Sequence, residues 1–388
     1  MSTREALVNM VIVLVIVLAM VGYVLHLPEV RFEKVNLLLK YQYDYMAEYY
    51  KPRWLSRSDI DGYFSSHFVT GVPWISYNKS YCAATCLQMI AYKYGVRKPI
   101  EYFNFIMGFT YGAYLGVFDS EVIFIPGGDP FMGYVNASRI LGFEYHLLVT
   151  NDRELFIDAC RYFVSKDIPV ILPVNASRLY HAGYFSPHFE LLVGYDDKFY
   201  FYEPVQSNCV FEFGERGYGF PIDLVVKAVE DMSAGFSQPW RYALIYFTKT
   251  REPVEDLKLA LVTNGRLQVG WNITWGGQAM YLGSYAFKVL AEYVEKGRVD
   301  VESIVWSINL ALVSRHDNAE FLRRQFPDNS LVLEAADCLD EAGKLYGKII
   351  DISMDGITPE DRAEIARLLS EAAEYEKEAG LLMINACS

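Results

Sequence analysis

Sulfur is scarce in this chain, and so are histidines and the common metal or phosphate signatures. Six cysteines in 388 residues, at Cys82, Cys86, Cys160, Cys209, Cys338 and Cys387, are too few and too irregularly spaced for a disulfide-stapled fold. No C-x-x-C or H-E-x-x-H occurs, which argues against the usual zinc sites, so the metal expectation is none. The glycine pairs at 127–128 and 276–277 match neither nucleotide-binding fingerprint. Basic residues number 35 against 48 acidic ones, a net charge of −13 with no basic stripe, so no nucleic-acid partner is expected. Asp196-Asp197 and nearby carboxylates offer oxygen ligands for a structural calcium ion outside a cell. No D-x-[DN]-x-[DN]-G loop surrounds them, so a turn is the expectation and no cofactor is called for. There is no internal repeat and no low-complexity tract.

Apolar and aromatic residues, by contrast, are plentiful: 52% of the chain is hydrophobic, with 30 Tyr and 24 Phe. That supports a sizeable core, and the length predicts more than one domain. Leu7 to Leu25 reads LVNMVIVLVIVLAMVGYVL, with Asn9 its one clearly polar residue. As a helix it would cover roughly 28 Å, close to a bilayer's hydrocarbon thickness. His26, Leu27 and Pro28 follow without a small-residue cleavage step, so the expectation is a membrane anchor; a cleaved secretory signal is the rival. Arg4 lies before the span and Arg31 and Lys34 after it, so charge does not orient it. An extracellular catalytic body is expected because single N-terminal anchors commonly tether exported domains; the protein would be secreted if the segment were cleaved. The N-x-S/T triplets at Asn78, Asn136, Asn175 and Asn272 occur at chance frequency and carry no weight.

The expected organisation is an anchor or signal over 1–27, a helical lead-in over 28–65, a mixed α/β catalytic domain over 66–250 and a helical domain over 251–388. Helices are predicted near 80–95, 99–107, 131–141 and 152–166. Strands are predicted over 168–174, 188–195, 199–205 and 242–248. Helices follow over 280–296, 300–313, about 331–350 and 359–383, the last capped by Thr358 with Pro359 in its first turn. The turn-rich run 124–131 reads as a tight connection, with substrate lining as the alternative. Trp271 to Gly277 reads as inter-domain packing or an aromatic wall.

The stretch SYCAATCLQMIAYKYG begins a helix, with Ser80 as the expected N-cap. A cysteine nucleophile acts as the thiolate, which a helix N-terminus and a nearby imidazolium favour. Cys82 sits in the first turn, where backbone N–H groups are unpaired; Cys86 is a turn further in. Cys82 is therefore the candidate nucleophile and Cys86 a packing residue, with a Cys82–Cys86 disulfide or two-ligand metal site as minor alternatives. A base and an orienting group are also needed. With a two-residue turn at Asp196-Asp197, the hairpin 188–205 makes Glu203 a same-face diagonal neighbour of His188. A one-residue change in the turn would send Glu203 to the other face. Glu190 shares the His188 face and is the rival orienter; His181 is the alternative base.

The segment V-P-x-x-x…Y-C-A-A-T-x-L-Q-M-I, followed by P-H-F-x-L-L-V-G-Y-D-D…Y-E-P, resembles the papain-like cysteine peptidase clan, in particular the bacteriocin-processing (double-glycine) type peptidases. The resemblance implies Cys82 as nucleophile, His188 as general base and Glu203 as third member. More loosely, the helical C-terminal half resembles the butirosin biosynthesis protein H family, which implies acyl transfer from a carrier protein to an amine. The implied fold class is α+β: a papain-like helix packed on a small antiparallel sheet, with an all-helical C-terminal domain and an N-terminal transmembrane helix. The sequence departs from the peptidases in having Tyr77 and Asn78, not Gln, ahead of the cysteine, Ala83 for Gly, and Glu203 for Asp. Asn78, or Tyr77 in the family Gln position, with the Cys82 N–H, would line the oxyanion site. The expected function is a cysteine peptidase acting on a peptide or protein substrate. The alternatives are an acyltransferase and an inactive membrane-tethered binding module.

Overall fold

The fold is built on PHFELLVGY, which forms strand β7 (Pro187–Tyr195) and is buried from His188 onward. The structure is a computed structural model and describes residues 46–118, 121–180, 185–206, 216–236, 238–254, 256–275, 278–354 and 357–387. Before β7 come β1 (Pro52–Trp54), β2 (His67–Phe68), α1 (Cys82–Lys93), α2 (Ile100–Met107), β3 (Ala113–Phe118), β4 (Glu121–Pro126), α3 (Pro130–Leu141), β5 (Phe143–Thr150), α4 (Arg153–Ser165), β6 (Val170–Asn175) and α5 (Ala176–Tyr180). After it come β8 (Lys198–Tyr202), β9 (Tyr218–Pro221), α6 (Ile222–Gly235), β10 (Tyr242–Lys249), α7 (Lys258–Val269), β11 (Asn272–Trp275), β12 (Gln278–Leu282), α8 (Ser284–Glu295), α9 (Val301–Gln325), α10 (Ser330–Ser353) and α11 (Pro359–Asn385).

Two sheets organise these elements. The larger has eight strands in the order β1-β5-β10-β6-β7-β8-β9, with β2 paired to β7. Helices α1, α3, α4 and α6 pack against it. Its central strand β6, VILPVN, is buried throughout, as a strand covered on both faces must be. The smaller sheet runs β11-β12-β3-β4 and joins residues 113–126 to residues 272–282. Local capping matches the side chains that begin each helix: Asp129 accepts from Phe131 and Met132, Asp152 accepts from Leu155, and Thr358 forms a capping box with Asp361 ahead of α11.

Two parts of the expected fold class are corrected. The main sheet is not small and antiparallel: it is eight-stranded and mixed, because β1 adds to β5 in parallel. That strand lies within the segment expected as a helical lead-in. The C-terminal half is not all helical, since β11 pairs with β12, and β12 pairs with β3 across more than 150 residues of chain. The stretch 7–25, expected as a transmembrane helix, lies outside the described residues. Among those residues no helix is long and apolar enough to cross a membrane. The longest, α11, carries charged residues in almost every turn and buries only one face.

The two hydrophobic cores interleave along the chain. One draws on α1 to β10 and also on Ala319, Leu322, Leu339 and Met383 of the C-terminal helices. The other combines Leu115 and Phe124 of the small sheet with α8 to α11. Between the halves lies a buried ion pair. Arg315 Nε donates to Glu376 Oε1 at 2.6 Å, and its NH1 and NH2 groups donate to the carbonyls of Thr110 and Gly112 at 2.9 and 2.6 Å. Tyr346 and Gln268 donate to the same carboxylate.

Candidate active site

Helix α1 begins one residue later than Ser80 capping would place it. Tyr81 is the N-cap, and its carbonyl accepts from both the backbone N–H and the hydroxyl of Thr85, at 2.8 and 2.9 Å. Cys82 is thus the first helical residue, with no acidic side chain in that turn. Its N–H is one of the unpaired donors of the helix end, where the aligned peptide dipoles favour an anion. The residue is buried, 8% exposed.

His188 stands at the second position of β7, where Cys82 is among the groups that act on its ring. Its Nε2 lies 2.9 and 3.1 Å from the two carboxylate oxygens of Glu203. With Nε2 so occupied, Nδ1 is the nitrogen left for the thiol. Glu203 is 0% exposed, and its Oε1 also accepts the Val205 N–H at 2.7 Å. The backbone around it is stitched to the segment leading into α1. Trp74 Nε1 donates to the Glu203 carbonyl at 2.9 Å, Tyr77 N–H to that of Pro204 at 3.0 Å, and Gln206 N–H to that of Tyr77 at 2.9 Å. The Trp74 ring stacks on Tyr202 at 5.4 Å.

The hairpin reaches this geometry by a different route from the one expected. Tyr195 pairs with Phe199, not Lys198, so the turn is one residue longer. A bulge between Leu192 and Gly194 then removes the offset, and Leu191 pairs with Tyr202. The two changes cancel, so Glu203 keeps the His188 face. Gly194 is required here: a Cβ would come within 2.2 Å of the Phe68 ring, which lies on the adjoining strand.

Electrostatics define an ion pair. Burial alone would push His188 down, but the Glu203 carboxylate, and then Cys82, hold it well above the ordinary imidazole value. Burial pushes Glu203 up, yet the His188 charge and its hydrogen bonds bring it below the usual carboxylate value. Cys86 is different. Burial, reinforced by the neighbouring Cys82 and Glu203, pushes its thiol well up, and Sγ donates to the Phe189 carbonyl at 3.5 Å. It is therefore a proton-retaining, packed thiol.

Tyr77 and Asn78, expected near the oxyanion, part company. The Tyr77 hydroxyl donates to Gln88 on α1 at 3.1 Å and so is directed along the helix. Asn78 lines a cleft of about 230 Å³ together with Ser80, Phe109, Trp306 and Leu310. Between them and Cys82, Lys79 and Tyr81 both bond Asp317 of α9, at 2.5 and 2.6 Å. The C-terminal half thereby grips the loop that leads into Cys82, a contact with no sequence signal. The alternative base, His181, lies outside the described residues, as does Cys209. Asp196 is a turn residue, accepting from the Lys198 N–H and the Tyr200 hydroxyl. Glu190 does join the site: Tyr180, which sequence reasoning missed, donates to its Oε1 at 2.7 Å. His188, Glu190 and Glu203 bring one nitrogen and two carboxylate oxygens within 4.8 Å of one another. A cation seated among them would compete with the His188–Glu203 hydrogen bonds.

No protein-family model matches the chain, and no curated protein matches it. Function therefore has to be read from the side chains themselves.

Proposed function

We propose that the protein is a cysteine-dependent hydrolase that cleaves peptide bonds through an acyl-enzyme on Cys82. The observation that carries this reading is His188, hydrogen-bonded to the buried carboxylate of Glu203 and acted on by Cys82 at a helix N-terminus. Such a relay provides a nucleophile, a proton acceptor and a group that fixes the ring's tautomer. The motif resemblance to papain-like cysteine peptidases points the same way. Cys82 as thiolate, paired with the His188 imidazolium, attacks the carbonyl carbon, and the C=O electron pair moves onto oxygen. The Cys82 N–H and the Asn78 amide receive that oxyanion. Its collapse expels the amine, which takes a proton from His188, and leaves a thioester. His188 then removes a proton from water as the water attacks the thioester, and the thiolate departs. Glu203 stays ionised throughout.

The test is competitive alkylation followed by product analysis. Iodoacetamide should modify Cys82 faster than any other cysteine, and a peptide library should yield cleaved products that vanish in Cys82→Ala. Equal labelling of all the cysteines, or hydrolysis surviving in Cys82→Ala, removes the proposal. The same thioester passed to an amine would make the protein a transferase, and adding amine acceptors to the assay separates the two.

A further inference from the structure

The hydrolysis scheme leaves Glu190 without a task, although its side chain is fully buried beside the relay. Leu191 pairs with Tyr202, so the next position outward on each chain sets Glu190 across from Glu203. Two facing carboxylates closed off from water do not both ionise. The groups that face Glu190 are Tyr180 from α5, His188 on its own strand, Glu203 beyond β8, and Cys86 from α1. Across β6 lies the uncharged Leu172. His188 is the cation in this set, and it balances a single carboxylate. Tyr180 satisfies Glu190 Oε1 at 2.7 Å, whereas Glu190 Oε2 is buried with no hydrogen-bond partner. A proton on Oε2 turns that orphaned acceptor into a donor next to Glu203.

We propose that Glu190 is a positioning residue held as the neutral acid, donating its proton to Glu203 while Glu203 is ionised against His188. The two carboxyls then carry one negative charge between them. This deepens the cysteine-hydrolase reading, because a second charge beside the relay would oppose a thiolate on Cys82. Burial, and then the Glu203 charge, push Glu190 up to about 8 against the pull of His188, so the proton is retained at neutral pH and lost in mild alkali.

Infrared difference spectroscopy reads that proton directly. Wild type minus Glu190→Gln at pH 7 should show a buried carboxylic-acid C=O band, and in the wild type the band should disappear as pH rises through about 8. Asp129 is a half-buried carboxyl also pushed up by desolvation, and 13C-labelled glutamate separates the two by shifting the Glu190 band alone. That labelling decides the matter in the wild type even if Glu190→Gln does not fold. The alkylation rate of Cys82 should show an inflection near pH 8 that Glu190→Gln lacks. Absence of a glutamic-acid band at pH 7 overturns the proposal, as does a band unchanged in Glu190→Gln. The two readings fail separately. A band with an unreactive Cys82 would keep the protonated Glu190 and discard the hydrolase, and a reactive Cys82 without a band would do the reverse.

Discussion

His188 Nε2 contacts both carboxylate oxygens of Glu203, at 2.9 and 3.1 Å, with both side chains buried. A ring held this way by a carboxylate cannot rotate without breaking two hydrogen bonds. Glu203→Gln keeps the shape and removes the charge. Its expected effect on turnover is a loss of about 10²–10⁴-fold, the usual contribution of a positioned acid–base group. The variant also tests the linkage. His188 is raised above its ordinary 6.5, so its pairing stabilises the fold fully below that value and is lost as pH rises through the folded value. Urea unfolding should therefore show Glu203→Gln more destabilised at pH 6 than in alkali.

Asn78→Ala tests the oxyanion assignment. Removing a donor that meets the charge only in the transition state should lower kcat by about 10²–10³ with little change in KM. Tyr77→Phe should change kcat far less, because the Tyr77 hydroxyl is engaged with Gln88. Steady-state kinetics on both variants check the contrast.

Glu190 gives the fold its own pH slope. Its native value of about 8 exceeds the ordinary 4.5, so between those limits the folded chain holds a proton that the unfolded chain releases. Stability from this group therefore falls as pH rises across that window, by up to about 1.4 kcal/mol per pH unit. Denaturation of Glu190→Gln at several pH values should show the slope reduced.

Asp317→Ala should loosen the nucleophile loop from a distance. It strands the buried Tyr81 hydroxyl and leaves Lys79 without its 2.5 Å partner, which should cost about 1–3 kcal/mol. Cys82 alkylation should slow in the variant even where it is fully folded, as near-ultraviolet circular dichroism can establish.

Glu376→Ala should be the most damaging of these changes to stability. It leaves Arg315 charged, 0% exposed and without its carboxylate, a loss of about 3–5 kcal/mol for a broken buried pair. Replacing Arg315 and Glu376 together with apolar residues should cost less than Glu376→Ala alone, which a double-mutant cycle measures.

How far the site could be read from sequence depended on how local each signal was. The α1 start, the β7–β8 hairpin and the Thr358 cap all rest on residues within a few positions of one another, and their elements were legible. The register beside the turn was misread, and the face of Glu203 came out right for an incomplete reason: period-2 arithmetic fixes a face only if turn length and bulges are known, and here a longer turn and a bulge cancel. The strands at 113–126 and 272–282 escaped notice. The first run ends in Pro126 and a glycine pair, which read as a turn, and its partner is far along the chain. Tyr180 had no signal either, because its role arises only when α5 folds back over β7. Asp317 was unreadable for the same reason.

The grip of Asp317 on Tyr81 spans 236 positions. A chain made from its N-terminus presents the Cys82 loop long before the carboxylate that anchors it has been synthesised, and before β12 can clasp β3. Whatever the thiol does, its surroundings are assembled late, so a nascent polypeptide carries the sulfur without the finished pocket around it.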